Sequence, residues 1–186
     1  GFDRSAPSPP PPNCTFIPVD LRSDESVMEG IRVIRDHHGP QIGSVIHLAA
    51  YYDFSGGDSP LYRDVTVEGT RRLLRGLNSS EVYVEQFIFS STMLLHEPAE
   101  PGQFINEEWP VDPSWAYPRS KVETEQVIHE ERGAIPAVFL RIAGVYDDRC
   151  HSVPLSHQIQ RIYERHLTSP LYSGETAHGQ SFVHLD

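Results

Sequence analysis

The sequence predicts an α/β fold: a doubly wound parallel sheet with helices on both faces. Three observations carry this expectation. The run Ser44–Leu48 is apolar after Ser44 apart from His47, and Val84–Phe89 is a short run rich in apolar residues ending in Phe87-Ile88-Phe89, as buried parallel strands read. Segments with helical spacing separate such runs, so strands and helices alternate along the chain. Asp3, Asp20, Leu48 to Ala50 and Ser90 to Thr92 all fall at predicted strand C-termini, the edge where open α/β sheets bind ligands.

Taken in order, Gly1 to Asp3 reads as the end of a strand. Pro7 and Pro9 to Pro12 then deny the backbone the amides of a sheet or helix, which makes this stretch a stiff surface loop. Cys14 to Val19 is β-prone. Ser23 or Asp24 caps a helix carrying Val27, Ile31, Val33 and Ile34, and the helix stops at His37-His38-Gly39-Pro40. After the strand at Ser44–Leu48 and a loop holding Gly56-Gly57-Asp58, Pro60 opens a second helix. Its predicted buried stripe is Leu61, Val65, Gly69, Leu73 and Leu77. The strand Val84–Phe89 delivers Ser90-Ser91-Thr92. Asp112-Pro113 has the form of an N-cap and first helical residue, and the helix runs through Tyr117, Lys121, Val127 and Ile128 to Gly133; Pro118 is cheap only in a first turn, which argues for a start later than Pro113. Ala137 to Leu140 is a further strand, a helix with Ile159, Ile162 and Leu167 follows Pro154, and Ser181 to Leu185 starts another strand.

The bulk numbers exclude several functions. The 186 residues are 38% hydrophobic, enough for one domain with a real core. A net charge of −11 disfavours nucleic acid or an anionic membrane as partner. No apolar run reaches the ~18 residues of a membrane span, and no signal peptide is visible, which points to the cytoplasm. The two cysteines, Cys14 and Cys150, form no disulfide framework or zinc knuckle. The glycosylation-type triplets at Asn13 and Asn78 read as chance matches. The chain opens without methionine on Gly1-Phe2-Asp3-Arg4 and closes on Leu185-Asp186, so both ends read as cut from a longer protein.

The chemistry centres on Tyr117-Pro118-Arg119-Ser120-Lys121. Residues four apart share a helix face, with Cβ atoms roughly 5–6 Å apart. An ammonium there favours phenolate over phenol, drawing a pKa of about 10 toward neutrality and making Tyr117 a general acid/base. Thr92, at the end of an apolar run, offers a hydroxyl that can hold a substrate carbinol or carbonyl. By itself the Tyr–Lys spacing also describes many exposed helical pairs; the surrounding blocks decide between the two.

Those blocks are Val45-Ile46-His47-Leu48-Ala49-Ala50, Thr66-Val67-Glu68-Gly69-Thr70, Phe87-Ile88-Phe89-Ser90-Ser91-Thr92, Tyr117 to Lys121, Leu140-Arg141-Ile142-Ala143-Gly144-Val145-Tyr146, and Ser181-Phe182-Val183-His184-Leu185-Asp186. In this order they resemble the extended short-chain dehydrogenase/reductase family, which includes NAD-dependent sugar-nucleotide epimerases and dehydratases. The resemblance implies a Rossmann-type domain over residues 1–186 that lacks its first strand, Gly-rich loop and C-terminal substrate lobe. It implies hydride transfer at a carbinol or carbonyl carbon, with Tyr117 as acid/base, Lys121 lowering its pKa and holding the nicotinamide ribose, and Thr92 orienting the reacting oxygen. Asp3 would take the adenosine ribose hydroxyls and favour NAD, with NADP the alternative because Arg4 lies beside it. Asp20 and Leu21 would contact adenine, and Leu48, Ala49 and Ala50 would form the loop under the pyrophosphate. Ser90 would back the nicotinamide. Thr66 stands where the family usually has asparagine, which weakens one hydrogen-bonding role. The alternative functions are an NADPH-dependent carbonyl reductase of the hydroxysteroid- or flavonol-reductase type, and a non-catalytic dinucleotide-sensing protein that keeps the fold without turnover. The implied substrate is a small molecule such as a nucleotide sugar, and a homodimer is compatible with the family.

Three further groups are expected to have ordinary structural roles or to leave their role open. Ten histidines show none of the metal-binding spacings and read as surface or capping residues, with His47 a satisfied core residue and no metal site. Glu123, Glu125, Glu130 and Glu131 read as the solvated face of the Tyr117 helix. Tyr51-Tyr52-Asp53-Phe54 either lines the pocket or packs against a neighbouring loop.

Overall fold

A computed structural model describes residues 1–9, 11–53, 57–167, 179 and 181–185. Pro10, Phe54, Gly56 and Asp186 lie outside the described residues. The chain forms two compact units, Gly1–Ser91 with Ser114–Leu140, and Thr92–Pro113 with Arg141–Asp186.

The first unit is an α/β layer structure. Strands β1 (Phe2–Asp3) and β2 (Ile17–Pro18) pair in parallel. Helix α1 (Asp24–His38) follows, and Ser23 is its N-cap, accepting a hydrogen bond from the Ser26 amide at 3.2 Å. Asp24 and Glu25 in the first turn and Arg35, His37 and His38 in the last suit the helix dipole. Gly39 ends the helix at φ 87, a conformation that favours glycine. Strands β3 (Gln41–Ile42) and β4 (Val45–His47) run parallel to β5 (Tyr83–Val84) and β6 (Phe87–Thr92), respectively. Hydrogen bonds from Glu85 N to Ile42 O and from Val45 N to Gln86 O, both 2.9 Å, carry the ladder across the interruption. β7 (Ala137–Ile142) completes the order β4-β6-β7.

The second helix departs from its predicted stripe. Tyr62–Val67 form a π-helical stretch, closed by Glu68 N donating to Arg63 O, before α2 (Glu68–Ser79) begins. A π-turn holds one residue more than an α-turn and so rotates the helix face. The buried positions become Tyr62, Thr66 and Val67 rather than Leu61 and Val65, while Gly69, Leu73 and Leu77 stay buried as expected.

The core joins Val27 and Ile31 of α1, Leu73, Leu74 and Leu77 of α2, and Ile128 of α3 (Ala116–Glu131) to Phe87 and Phe89 of β6. Two glycines permit the close approach. A Cβ on Gly30 would lie 2.6 Å from Val19 Cγ2, and one on Gly76 would lie 2.8 Å from Ile31 Cδ1. Because side chains alternate along a strand, the opposite face of β4 and β7 carries Ile46, Val138 and Leu140, all exposed, with exposed Leu48 just past β4.

In the second unit, Thr92 caps a short helical turn at Met93–Leu95. His96 and Val111 form an antiparallel bridge. β8 (Gly144–Tyr146), which the sequence reading did not anticipate, pairs with β9 (Phe182–His184). The helix expected to follow Pro154 forms as α4 (Val153–Tyr163), with Pro154 in its first turn and Ser152 as N-cap, but none of its residues is buried and Ile159 and Ile162 are exposed. Leu167 is exposed as well. No helix among the described residues is long and apolar enough to cross a membrane.

Candidate active site

Helix α3 positions the tyrosine and lysine. It begins at Ala116 with Trp115 as N-cap, three residues beyond the predicted start at Pro113. Asp112 is held elsewhere, its amide donating to Leu95 O at 3.0 Å. The later start reconciles Pro118 with the helix: in the first turn an amide has no helical acceptor, so a missing N–H costs little. Pro118 is fully buried. Ser120 Oγ donates to Tyr117 O at 2.7 Å, and Thr124 Oγ1 donates to Ser120 O at 2.7 Å.

Lys121 is 2% exposed. Its Nζ donates to Ser90 O at 2.6 Å, lies 4.7 Å from the Phe89 ring centroid and 5.7 Å from that of Tyr117. Burial pushes its pKa down to about 8. Removing an ammonium from water is costly, and the Ser90 carbonyl and the faces of the Phe89 and Tyr117 rings offset only part of that cost.

The Tyr117 ring sits among aromatics. Tyr52 meets it nearly edge-on, with centroids 4.6 Å apart at 88°, and Trp115 and Tyr62 lie at 5.6 and 6.5 Å. Burial, and secondarily Tyr62, raises the Tyr52 phenol pKa, which keeps Tyr52 neutral. Of the two roles expected for the Tyr51–Phe54 run, Tyr51 packs edge-on against Tyr62 at 4.9 Å, while Tyr52 stands against the candidate acid/base.

A hydrogen-bond chain ties the loop after β4 to α2. Tyr51 N donates to Thr66 Oγ1 at 2.9 Å, and Thr70 Oγ1 donates to Thr66 O at 2.6 Å. The Thr70 hydroxyl has given its one proton, so His47 Nε2, 2.8 Å away, is the donor to it. Threonine at position 66 therefore supplies an acceptor that holds the loop. His47 is a satisfied core residue, as expected. Burial first, and the Lys121 charge second, push its pKa down to about 4. The unfolded chain takes up this proton below about 6.5, the fold only below about 4, so stability is full above the upper value and falls as pH drops through the window. His47 should cost the fold about 3 kcal/mol between those limits. Urea titrations at pH 7 and pH 4 check this, with a His47→Gln variant expected to lose part of the dependence.

The remaining expected site residues are placed as follows. Asp3 ends β1, exposed, with Oδ1 accepting from the Arg4 amide at 2.6 Å and the Ser5 amide at 3.3 Å. Asp20 follows β2 and is paired with Arg22 at 2.7 Å, whose hydrogen bonds hold its carboxyl down to about 2. Leu21 packs against Gly69. Leu48 is 67% exposed, Ala49 is exposed and Ala50 half-buried. Ser90 Oγ donates to His47 O at 3.2 Å. In the second unit, Thr92 Oγ1 accepts from Leu94 N at 3.2 Å. Within the first unit, Asp3, Asp20, Leu48 to Ala50 and Ser90 thus lie at or near the carboxyl ends of β1, β2, β4 and β6. At this edge Ala49 and Ala50 are small, the exposed Asp3 carboxylate is able to accept from hydroxyl groups, and the Lys121 ammonium is a buried donor.

Several residues behave differently from expectation. Glu125 is buried, and Ser91 Oγ donates to its Oε1 at 2.5 Å. Glu131 is ion-paired with Arg71 and Arg75, which hold its carboxyl down to about 2. Neither belongs to a solvated face, because the helix reaches α2 on one side and β6 on the other. His96 is not a surface residue either: it is buried, with Nδ1 at 3.0 Å from Trp109 O and Nε2 at 3.3 Å from an Arg141 nitrogen. Reading the sequence missed Ser91, Glu125, Tyr62 and Trp115. For Glu125 a signal existed, since Tyr117, Lys121 and Glu125 repeat at four-residue spacing. Among the described residues no group of three or more His, Cys, Asp or Glu side chains could hold a metal ion.

Residues 2–184 match the NAD dependent epimerase/dehydratase family. No curated protein matches the chain. Among solved structures, it resembles UDP-glucose 4-epimerase of Thermus thermophilus in complex with NAD at 26% identity and a TM-score of 0.70, covering 94% of this chain and 57% of that one. UDP-glucuronic acid 4-epimerase of Bacillus cereus, in complex with UDP-glucuronic acid and NAD, is 21% identical with a TM-score of 0.70, over 91% of this chain and 51% of that one. A short-chain dehydrogenase/reductase superfamily protein of Agrobacterium tumefaciens with bound NAD is 25% identical with a TM-score of 0.62, over 94% and 55%. The chain spans about half the length of these structures. The shared fold bears out the Rossmann-type expectation.

Proposed function

Because the chain belongs to the NAD dependent epimerase/dehydratase family, we propose that it carries the dinucleotide-binding part of an NAD-dependent epimerase-type oxidoreductase acting on a nucleotide sugar. The observation that carries this reading is the buried Lys121 ammonium, one helical turn beyond Tyr117 and 5.7 Å from its ring centroid. A buried cation is retained against its desolvation cost where it has work to do.

Bound NAD supplies a hydride-accepting nicotinamide. The protein's part is to move the proton. Tyr117 takes it from the carbinol hydroxyl at the phenolate oxygen and returns it when the carbonyl is reduced. Lys121 keeps positive charge beside that phenolate, and its bond to Ser90 O holds the ammonium in place. Thr92 orients the reacting oxygen. Asp3 accepts from ribose hydroxyls, a preference for NAD because its carboxylate repels a 2′-phosphate. Asp20 and Leu21 flank the adenine, Leu48 to Ala50 leave room for the pyrophosphate, Ser90 backs the nicotinamide, and Thr66 holds the adjoining loop through Tyr51 N.

The test is to denature the purified full-length protein and identify any released nucleotide by mass spectrometry. Released NAD is the expected result, since an epimerase regenerates its cofactor in place. A protein that is empty and gains no thermal stability from added NAD overturns the reading.

A further inference from the structure

Glu125 lies one helical turn past Lys121 on α3, as Lys121 lies one turn past Tyr117. Helix α3 is tied to β6 at two adjacent points: Lys121 Nζ to Ser90 O at 2.6 Å, and Ser91 Oγ to Glu125 Oε1 at 2.5 Å. Ser91 and Glu125 are 4% and 8% exposed. A carboxylate is an expensive way to fill a core position, and an apolar side chain would pack there more cheaply. What a hydrogen bond adds is direction. Two bonds from successive turns of the helix to successive residues of the strand prevent α3 from sliding or rolling against β6. The ammonium then has one position relative to the phenol.

We propose that Glu125, through Ser91, is a positioning residue for the Tyr117–Lys121 pair, fixing the register in which Lys121 sits beside the acid/base. This rests on the function proposed above. The titratable groups around the pair are His47 on β4, Tyr52 in the loop after β4, Tyr62 in the π-helical stretch and Glu125 on α3.

The test reads the phenol directly, without substrate. The full-length protein is labelled with 13Cζ-tyrosine, the Tyr117 signal is assigned by its loss in Tyr117→Phe, and its titration midpoint is measured by NMR. Glu125→Ala and Ser91→Ala are each expected to raise the midpoint by about one pH unit, a tenfold change. Loss of the Glu125 charge alone would lower it, so a rise reports the displacement of Lys121. Glu125→Gln keeps an acceptor for Ser91 and should not raise it. Folded alanine variants with an unmoved midpoint, or alanine variants that both fail to fold, overturn the positioning role. A wild-type midpoint of about 10, the ordinary tyrosine value, overturns the acid/base reading and the positioning role with it.

Discussion

Tyr117→Phe should lower turnover by about 10²- to 10⁴-fold, the usual contribution of a positioned general acid/base, and leave cofactor binding within a factor of about three. The substitution deletes one oxygen and keeps the ring. The ring's contacts with Tyr52, Trp115 and Tyr62 involve its faces and edges, so they survive. The phenol oxygen is the only atom the proposed proton transfer needs from this side chain. The full-length variant is to be compared with wild type for epimerisation of UDP-hexoses, followed by NMR, and for NAD affinity by calorimetry. Equal rates in the two proteins would remove Tyr117 from the mechanism. A parallel collapse of NAD affinity would instead make it a binding residue.

Replacement of Lys121 by methionine should separate activity from stability. The ammonium is buried, and its pKa falls from 10.5 to about 8. At neutral pH the folded protein therefore carries a burial penalty of about 3 kcal/mol that the unfolded chain escapes. Methionine is similar in length, fills the space against Phe89 and carries no charge. It leaves Ser90 O without this donor, a loss of about 1 kcal/mol. The balance favours the variant, so its melting temperature at pH 7 should equal or exceed that of wild type. Turnover should fall by at least about 10²-fold, because the charge that favours phenolate is gone. The pH dependence gives a second signature. In wild type, stability should rise between pH 8 and 10.5, where the unfolded chain still holds the proton and the fold has released it. Lys121→Met should abolish that rise, measured by urea titration across the interval. A variant that is strongly destabilised at pH 7 would show that Lys121 is kept for the fold rather than for chemistry.

Much of the architecture was legible because it depends on short-range rules. Ser23 caps α1, and Gly39 ends it, for reasons local to those residues. The strands around His47 and Phe87 announce themselves by apolar composition. Boundaries were less secure where two local rules competed. Asp112-Pro113 has the chemistry of a helix start, but the Asp112 amide is drawn to Leu95 O and the helix waits until Ala116. The π-helical stretch at Tyr62–Val67 shifted the buried stripe by one residue, which a strict periodicity cannot anticipate.

The candidate site divides in the same way. Tyr117 and Lys121 could be paired from sequence because helix geometry alone brings residues four apart together. So could the placing of Asp3, Asp20 and Ala49 near strand ends, which follows from strand–helix alternation. The environment of the pair could not be read this way. Lys121 is buried on Phe89 and bonded to Ser90 O, Tyr52 and Trp115 crowd the Tyr117 ring, and Glu125 turns inward to Ser91. Most of these contacts join segments far apart in the chain. Local spacing determines which side chains share a helix face. Only the packing of α3 against β6 and α2 decides which of those faces lies in the core, and burial is what sets the pKa of a lysine or a histidine.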